Sequence, residues 1–251
     1  MKPIRRSKIG GTLYRKTAMK PFVLLLGIGV LVASVGYGQE ARGEDVKLRL
    51  DAAMPALVEA LRDADPSVRA AAAVALQEMG PAAKTAIPAL AELLRDPDGY
   101  VRITASHTLE IKGAQAVPSV VALLRDEESS VRELAVQTLR AMGTEAKAAI
   151  PALTEALRDK NPSVRGAATM ALQEFGLEAK AAIPALAELV RDPDGYVRID
   201  AVHTLERMRS EAVPNLVQLL RDPDAHVRAL AAQALRQIAA EIELAAPSSR
   251  R

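Results

Sequence analysis

The chain of 251 residues contains no cysteine and no tryptophan, and aromatic residues make up only 2% of it. Without cysteine the protein can form no disulfide framework and no zinc–thiolate site, and it has no thiol nucleophile. With so few aromatic residues, the core must be built from Ala, Leu and Val. Because Ala and Leu favour helices and the Ala-rich stretches lack the alternation of strands, the composition predicts an all-α protein.

The first 39 residues contain no acidic residue, since the first one in the chain is Glu40. Seven basic residues precede an apolar run from Phe22 to Val35, and small residues follow in "SVGYGQEA". This order is typical of a secretory signal peptide, so we expect residues 1–38 to direct export to the periplasm or the cell exterior. The alternatives are an uncleaved anchor, which would touch the membrane through this segment only, and a buried core helix.

Loss of residues 1–38 would remove seven of the 33 basic residues and none of the 31 acidic ones. The remaining chain is then mildly acidic. A nucleic-acid-binding surface needs a basic footprint, so we predict no nucleic-acid partner.

The stretch "RDPDGYVRI" occurs twice, at residues 95–103 and 191–199. Residues 51–140 align with residues 147–236 without a gap, with about two-thirds of the positions identical. Weaker copies of the phrase end at Arg69, Arg132, Arg165 and Arg228, so the chain contains six units. We assign a lead-in at 39–52, repeats at about 53–80, 86–113, 116–143, 149–176, 182–209 and 212–240, and a C-terminal tail at 241–251.

Each unit predicts a pair of helices, and periods of this length are typical of helical solenoids. Every unit has a proline at the start of its first helix: Pro55, Pro88, Pro118, Pro151, Pro184 and Pro214. Its second helix carries an Ala and a Leu four residues apart, from Ala72 and Leu76 to Ala231 and Leu235, which we expect to be buried. Asp98, Ser67, Ser163 and Asp194 are expected to cap second helices.

A typical unit has a first helix that opens with proline, then "LRD", a turn, "VR" and a second helix with the recurring Ala and Leu. Over residues 53–240 the units resemble HEAT repeats of the kind found in phycobilin lyases. The resemblance implies an α-solenoid of six HEAT-like helix pairs. It also implies that an Asp and an Arg six residues apart form a structural ladder of hydrogen bonds from repeat to repeat. The ladder residues are Asp63, Arg69, Asp96, Arg102, Asp126, Arg132, Asp159, Arg165, Asp192, Arg198, Asp222 and Arg228.

The HEAT-like family includes scaffolds, bilin lyases and the iron enzyme deoxyhypusine hydroxylase, so it leaves function open. The hydroxylase carries adjacent His-Glu pairs directly after the "VR" position, and this chain has none there. "DPDG" resembles the start of a calcium loop, but His107 and His203 stand where that loop needs Glu.

His107 with Glu110, and His203 with Glu206, could each be half of a metal site or an acid/base pair, because residues three apart share a helix face. The two pairs lie three repeats apart, about 30 Å at the spacing of packed helices, which is too far to share one ion. We expect surface ion pairs, and we assign no catalytic residue, metal ligand or cofactor. An enzyme of the lyase or oxidoreductase type is the alternative.

One face of the second helices, followed in steps of i, i+3, i+4 and i+7 from the residue after "VR", varies from repeat to repeat. Second helices line the concave face of such solenoids, so we predict a non-enzymatic scaffold that binds a protein partner there. The partner-binding stripe is predicted to comprise Ile103, His107, Glu110, Gln137, Arg140, Met170, Gln173, Ile199, His203, Glu206, Gln233 and Arg236. The remaining positions of this series are Ser106, Glu133, Val136, Gly166, Thr169, Val202, Ala229 and Ala232.

Overall fold

The computed structural model describes the backbone of residues 43–245 and the side chains of residues 52–243, so the predicted signal peptide lies outside it. The described chain consists of helices, turns and short 3₁₀ segments, with no strand, which confirms the all-α prediction. The α-helices are α1 Gly43–Ala60, α2 Pro66–Glu78, α3 Ile87–Glu92, α4 Gly99–Lys112, α5 Val117–Ala122, α6 Ser129–Ala141, α7 Ile150–Ala156, α8 Pro162–Phe175, α9 Ile183–Leu189, α10 Gly195–Arg207, α11 Val213–Leu219 and α12 Ala225–Ala245.

Odd-numbered helices are the first helices of the six repeats, and even-numbered helices are the second. The recurring alanine of every second helix is fully buried, as are the first five recurring leucines. Small alanine side chains let neighbouring helices approach closely, and the leucines fill the space between them. Leu235, in the last of the described repeats, is only half-buried.

The second helices begin at polar caps, although two of these differ from the prediction. Asp98 and Asp194 accept backbone N–H bonds from the first turns of α4 and α10, as expected. Ser67 and Ser163, by contrast, lie inside α2 and α8. Their backbone N–H groups donate to Asp65 and Asn161, which are the true caps at 2.8 Å. These caps stand four residues before the "VR" arginine, as Asp98 and Asp194 do, and a proline occupies the first position of each of these two helices.

Five first helices carry their proline at the second position, where its missing N–H costs no hydrogen bond. Pro55 is different, because it lies inside α1, which begins at Gly43 in the segment assigned as a lead-in. At the other end, α12 continues to Ala245, into the segment assigned as the tail.

The connections between repeats are 3₁₀ segments of two lengths. Seven residues form each of the three segments Gly80–Ala86, Gly143–Ala149 and Gly176–Ala182, which connect repeats one to two, three to four and four to five. Segments of three and four residues, Gly113–Gln115 and Arg209–Ala212, connect repeats two to three and five to six. We call the first kind long junctions and the second kind short junctions.

Junction length changes the packing of the two helix layers. Successive second helices pack against one another throughout the stack, and most extensively at the long junctions. Successive first helices contact one another at the short junctions, whereas at the long ones the connector packs against both of them and they scarcely touch. In the described part of the chain, no helix has both the length and the apolar character needed to cross a membrane.

Candidate interaction surface

The ladder arginine braces the turn of its own repeat in all six units. Its Nη1 donates to the backbone carbonyl of the ladder aspartate and to that of the next residue; for Arg132 the carbonyls are those of Asp126 at 2.8 Å and Glu127 at 3.0 Å. The other five arginines make the same two bonds. The aspartate tightens the turn by accepting the N–H two residues on, so both residues are needed within every repeat.

At the long junctions the same arginine also reaches the next repeat. Arg132 donates from Nε and Nη2 to the two carboxylate oxygens of Asp159, at 2.6 and 2.8 Å. Arg69 binds Asp96 and Arg165 binds Asp192 with the same bidentate geometry. Such bidentate, charge-assisted pairs are strong and geometrically specific.

At the short junctions the implied ladder does not form between the assigned residues. Arg102 and Arg198 contact only their own turns, and the carboxylates of Asp126 and Asp222 are bound instead by Arg95 and Arg191, each at 2.5 Å. With three residues fewer in the connector, the next aspartate comes within reach of the arginine at the end of the first helix. Arg228, in the last repeat, has no following aspartate.

The hydrogen bonds of the ladder lower the pKa values of Asp96 and Asp159. The bonds from Arg69 hold the pKa of Asp96 below its ordinary value, although burial opposes this shift. For Asp159, burial raises the pKa, but the bonds from Arg132 and from the backbone N–H of Asn161 more than offset it, and the pKa is lowered. These carboxylates are therefore charged when the protein is folded at neutral pH.

The predicted stripe lies on second helices, and its twelve side chains are exposed or half-buried. Its large apolar members are accessible to solvent, with Ile103 67% exposed, Ile199 48% and Met170 38%. Three neighbouring positions of the same series, Val136, Thr169 and Val202, are buried between successive second helices instead. The exposed part of the helix face is therefore narrower than the face predicted from steps of i, i+3, i+4 and i+7.

Arg140 in the stripe already forms an ion pair within the protein. Its Nε lies 2.8 Å from an Oε atom of Glu174 in the next repeat, which makes it part of the contact between repeats three and four. The same junction contains two further ion pairs, Arg125 with Glu155 and Lys147 with Glu178. On the side of the first helices, a groove of about 370 Å³ lies between these repeats.

The two His/Glu pairs differ from each other. His107 Nδ1 lies 3.2 Å from Glu110 Oε2, and both side chains are exposed. His203 lies near Glu206 and Asp200, and burial raises the pKa of both carboxyls, although the neighbouring His203 opposes this. Within residues 43–245 no group of three or more His, Asp or Glu side chains is arranged to hold a metal ion.

The sequence matches the family of HEAT repeats over residues 43–110, 87–173, 117–206 and 183–247. The chain belongs to this family. The resemblance inferred from the repeated phrase is thus confirmed, and it extends across the described helices. A comparison with curated protein sequences finds no match.

Several solved structures are similar to this HEAT-repeat protein. A chain from a structure of microtubule plus-end tracking by XMAP215, CLIP-170 and EB1 has 15% identity and a TM-score of 0.54, covering 72% of this chain and 89% of that one. CpcE and CpcF of phycocyanin lyase from Nostoc sp. PCC7120 give 24% identity and a TM-score of 0.47, covering 60% of this chain and 98% of that one. Human deoxyhypusine hydroxylase has 19% identity and a TM-score of 0.40, covering 87% of this chain and 98% of that one. At 15% identity, the likeness to the chain from the plus-end-tracking structure shows the fold alone.

Three features of this HEAT-repeat protein escaped the sequence analysis. The pairing role of Arg95 and Arg191 could have been suspected, because they open the identical stretches. Val74 is exposed five residues after Arg69, in the register of Met170, and so extends the stripe to the first repeat. Lys112 is buried at a position where other repeats have Met, Phe or Ile. Its Nζ donates to the carbonyls of Leu76 and Gly80, both at 2.7 Å, and burial lowers its pKa.

Proposed function

We propose that this HEAT-repeat protein is an exported, non-enzymatic scaffold that binds a protein partner along the exposed stripe of its second helices. The observation that carries the proposal is the line of accessible apolar side chains on these helices: Val74, Ile103, Met170 and Ile199. Large apolar residues exposed on one face of the second helices, and surrounded by polar ones, are typical of a protein-binding surface.

The packing of the two layers supports a concave position for the stripe. Second helices pack more extensively on one another than first helices do, above all at the long junctions. A two-layered stack bends towards the layer in which the helices lie closer together. The inner surface of such a solenoid is the usual place where an extended partner binds.

The chemistry of the stripe indicates a partner with both apolar and charged groups. The stripe has exposed Ile103 and Ile199 near carboxylates such as Glu110 and Glu206, while Gln137 and Gln173 lie between them in the central repeats. We therefore propose a partner segment that presents apolar anchors flanked by basic residues. Basic residues would complement the carboxylates and favour association at low ionic strength.

The test uses partner capture from the envelope fraction, with chemical crosslinking followed by mass spectrometry to map the contact. Met170→Glu combined with Ile199→Glu places two charges in neighbouring repeats of the stripe and is expected to abolish capture. The matched control is Ile111→Glu combined with Leu177→Glu, which alters two exposed apolar residues outside the stripe. Equal loss of capture in both variants, or crosslinks confined to the first helices, would contradict the proposal.

The export part of the proposal depends on residues 1–38, where seven basic residues precede the apolar run. N-terminal sequencing of the protein from the exported fraction is expected to begin near Gln39. Recovery of the protein from the cytosol alone, with Met1 intact, would exclude export. Recovery from the membrane with Met1 intact would instead identify an uncleaved anchor.

A further inference from the structure

The two ends of the solenoid carry the two halves of an interface that the chain already forms once in its middle. Repeats four to six are a duplicate of repeats one to three, so repeat six corresponds to repeat three and repeat one corresponds to repeat four. The junction between repeats three and four therefore shows how repeat six of one molecule would fit repeat one of another. We propose that the protein assembles head to tail with copies of itself through these end faces.

The ion pairs of the central junction have their counterparts at the two ends. Arg132 with Asp159, Arg125 with Glu155, and Arg140 with Glu174 join repeats three and four at 2.6, 3.2 and 2.8 Å. The residues at the corresponding positions are unchanged in type: Arg228, Arg221 and Arg236 on repeat six, and Asp63, Glu59 and Glu78 on repeat one. All three basic partners lie on one end and all three acidic partners on the other, so the ends are complementary in charge.

The fourth central pair, Lys147 with Glu178, has no such counterpart, because Glu243 and Ala82 stand at the equivalent positions. The assembled joint would therefore contain three of the four ion pairs of the central one. Lys147 lies in the connector between repeats three and four, whereas Glu243 lies in α12.

Apolar residues at the C-terminal end are exposed where their counterparts are covered. Val217 is 44% exposed and Leu220 is 38% exposed, whereas the equivalent Val121 and Leu124 are half-buried and line the groove against repeat four. Solenoids that remain single have end repeats with a polar outer face. Repeat six instead exposes these two apolar side chains among its arginines.

The N-terminal end shows the complementary difference. Val68 is half-buried and Ala71 is exposed, whereas the equivalent Val164 and Ala167 are buried beneath repeat three. These small side chains are the ones that admit a close neighbour in the central junction.

The test is a charge exchange between the two ends in the full-length chain. The first variant combines Arg221→Glu with Arg236→Glu, and the second combines Glu59→Arg with Glu78→Arg. These four side chains are exposed. Sedimentation velocity is expected to show concentration-dependent association of the wild type and at least about tenfold weaker association of each variant alone. An equimolar mixture of the two is expected to regain association, because the altered ends match each other.

The control combines Lys84→Asp with Arg207→Glu, which makes the same change of charge away from both end faces and is expected to associate like the wild type. Circular dichroism checks that each variant is folded. Recovered association in the equimolar mixture is independent evidence that both variants are folded. The proposal is wrong if the wild type is monomeric at every concentration. It is also wrong if the variants associate as the wild type does, or if mixing them restores nothing.

Discussion

At the long junctions the ladder arginine spans two repeats, whereas at the short junctions it stays within its own. Arg69, Arg132 and Arg165 each bind the next aspartate, while Arg102 and Arg198 leave that contact to Arg95 and Arg191. The contact to the aspartate is thus kept at every junction, but the residue that supplies it changes with connector length. One Asp/Arg signature therefore serves two ways of stacking.

The largest contrast between the two kinds of junction is expected from removing the ladder arginine. Arg132→Ala leaves the largely buried carboxylate of Asp159 without its cation and should lower the free energy of unfolding by about 3 kcal/mol. Arg102→Ala loses only the two carbonyl contacts of its own turn and should cost about 1 kcal/mol. Urea unfolding measures both values, with Arg62→Ala as an exposed control. Equal losses at Arg132 and Arg102 would show that the cross-repeat pair contributes nothing.

The first residue of the connector provides the second contrast. Gly113 and Gly143 both have φ near +55°, which favours glycine, but a Cβ at Gly113 would overlap the carboxylate of Glu145. That carboxylate accepts the N–H of Ala114 at 2.9 Å. Gly113→Ala should therefore cost about 2 kcal/mol, whereas Gly143→Ala, where the space is empty, should cost about 1 kcal/mol. Thermal unfolding of the two variants compares them directly, and a smaller loss at Gly113 would contradict this account.

Acid should weaken the long junctions through the carboxylates that the arginines hold. The pKa of Asp96 is lower in the folded protein than the unfolded value of about 3.9, so its contribution is present above that pH and is lost as the pH falls through the folded pKa. We expect the stability of the wild type to decline below about pH 4. Arg69→Ala should be less stable at neutral pH and lose less on acidification. Parallel pH profiles for the two proteins would count against a linked titration.

The repeated phrase was sufficient to predict the helix pairs, the six-unit organisation and the buried Ala and Leu positions of the second helices. These features depend on local spacing alone. The phrase could not predict which arginine meets Asp126, because Arg95 and Arg102 are both close in sequence and the choice depends on how far one repeat is shifted over the next. Nor could it show that Arg140 is bound to Glu174, because a helical stripe does not reveal which side chains a neighbouring helix covers.

Connector length can be exchanged to sharpen the comparison. Deletion of residues 83–85 would convert the first long junction into the short form and should transfer Asp96 from Arg69 to Arg62, the counterpart of Arg95. In that background Arg62→Ala should cost about 1 kcal/mol, whereas in the wild type it should cost less than about 0.5 kcal/mol. Chemical denaturation of the four proteins forms a double-mutant cycle, and an unchanged effect of Arg62→Ala would refute the transfer.

The two short junctions begin with different residues, Gly113 and Arg209, and the smallest effect is expected at this position. Arg209 has φ +52° at the position where Gly113 has φ +56°, and its contact with Glu241 is long, at 3.8 Å, and exposed. Arg209→Gly should relieve this conformation and raise stability by about 0.5–1 kcal/mol. A rise in melting temperature checks it, and a fall would mean that the contact with Glu241 outweighs the backbone strain.

Every cross-repeat hydrogen bond and ion pair within residues 52–243 links positions no more than 36 residues apart, the longest being that of Lys112 with Leu76. The described fold therefore has a low contact order, and its assembly needs no encounter between the two chain ends. Each repeat can dock as soon as the preceding one exists, so the native state can grow from the N-terminus while the rest of the chain is still being synthesised. We expect amide protons of the second helices in repeats three and four to exchange most slowly, because only these interior repeats are enclosed by two others on each side.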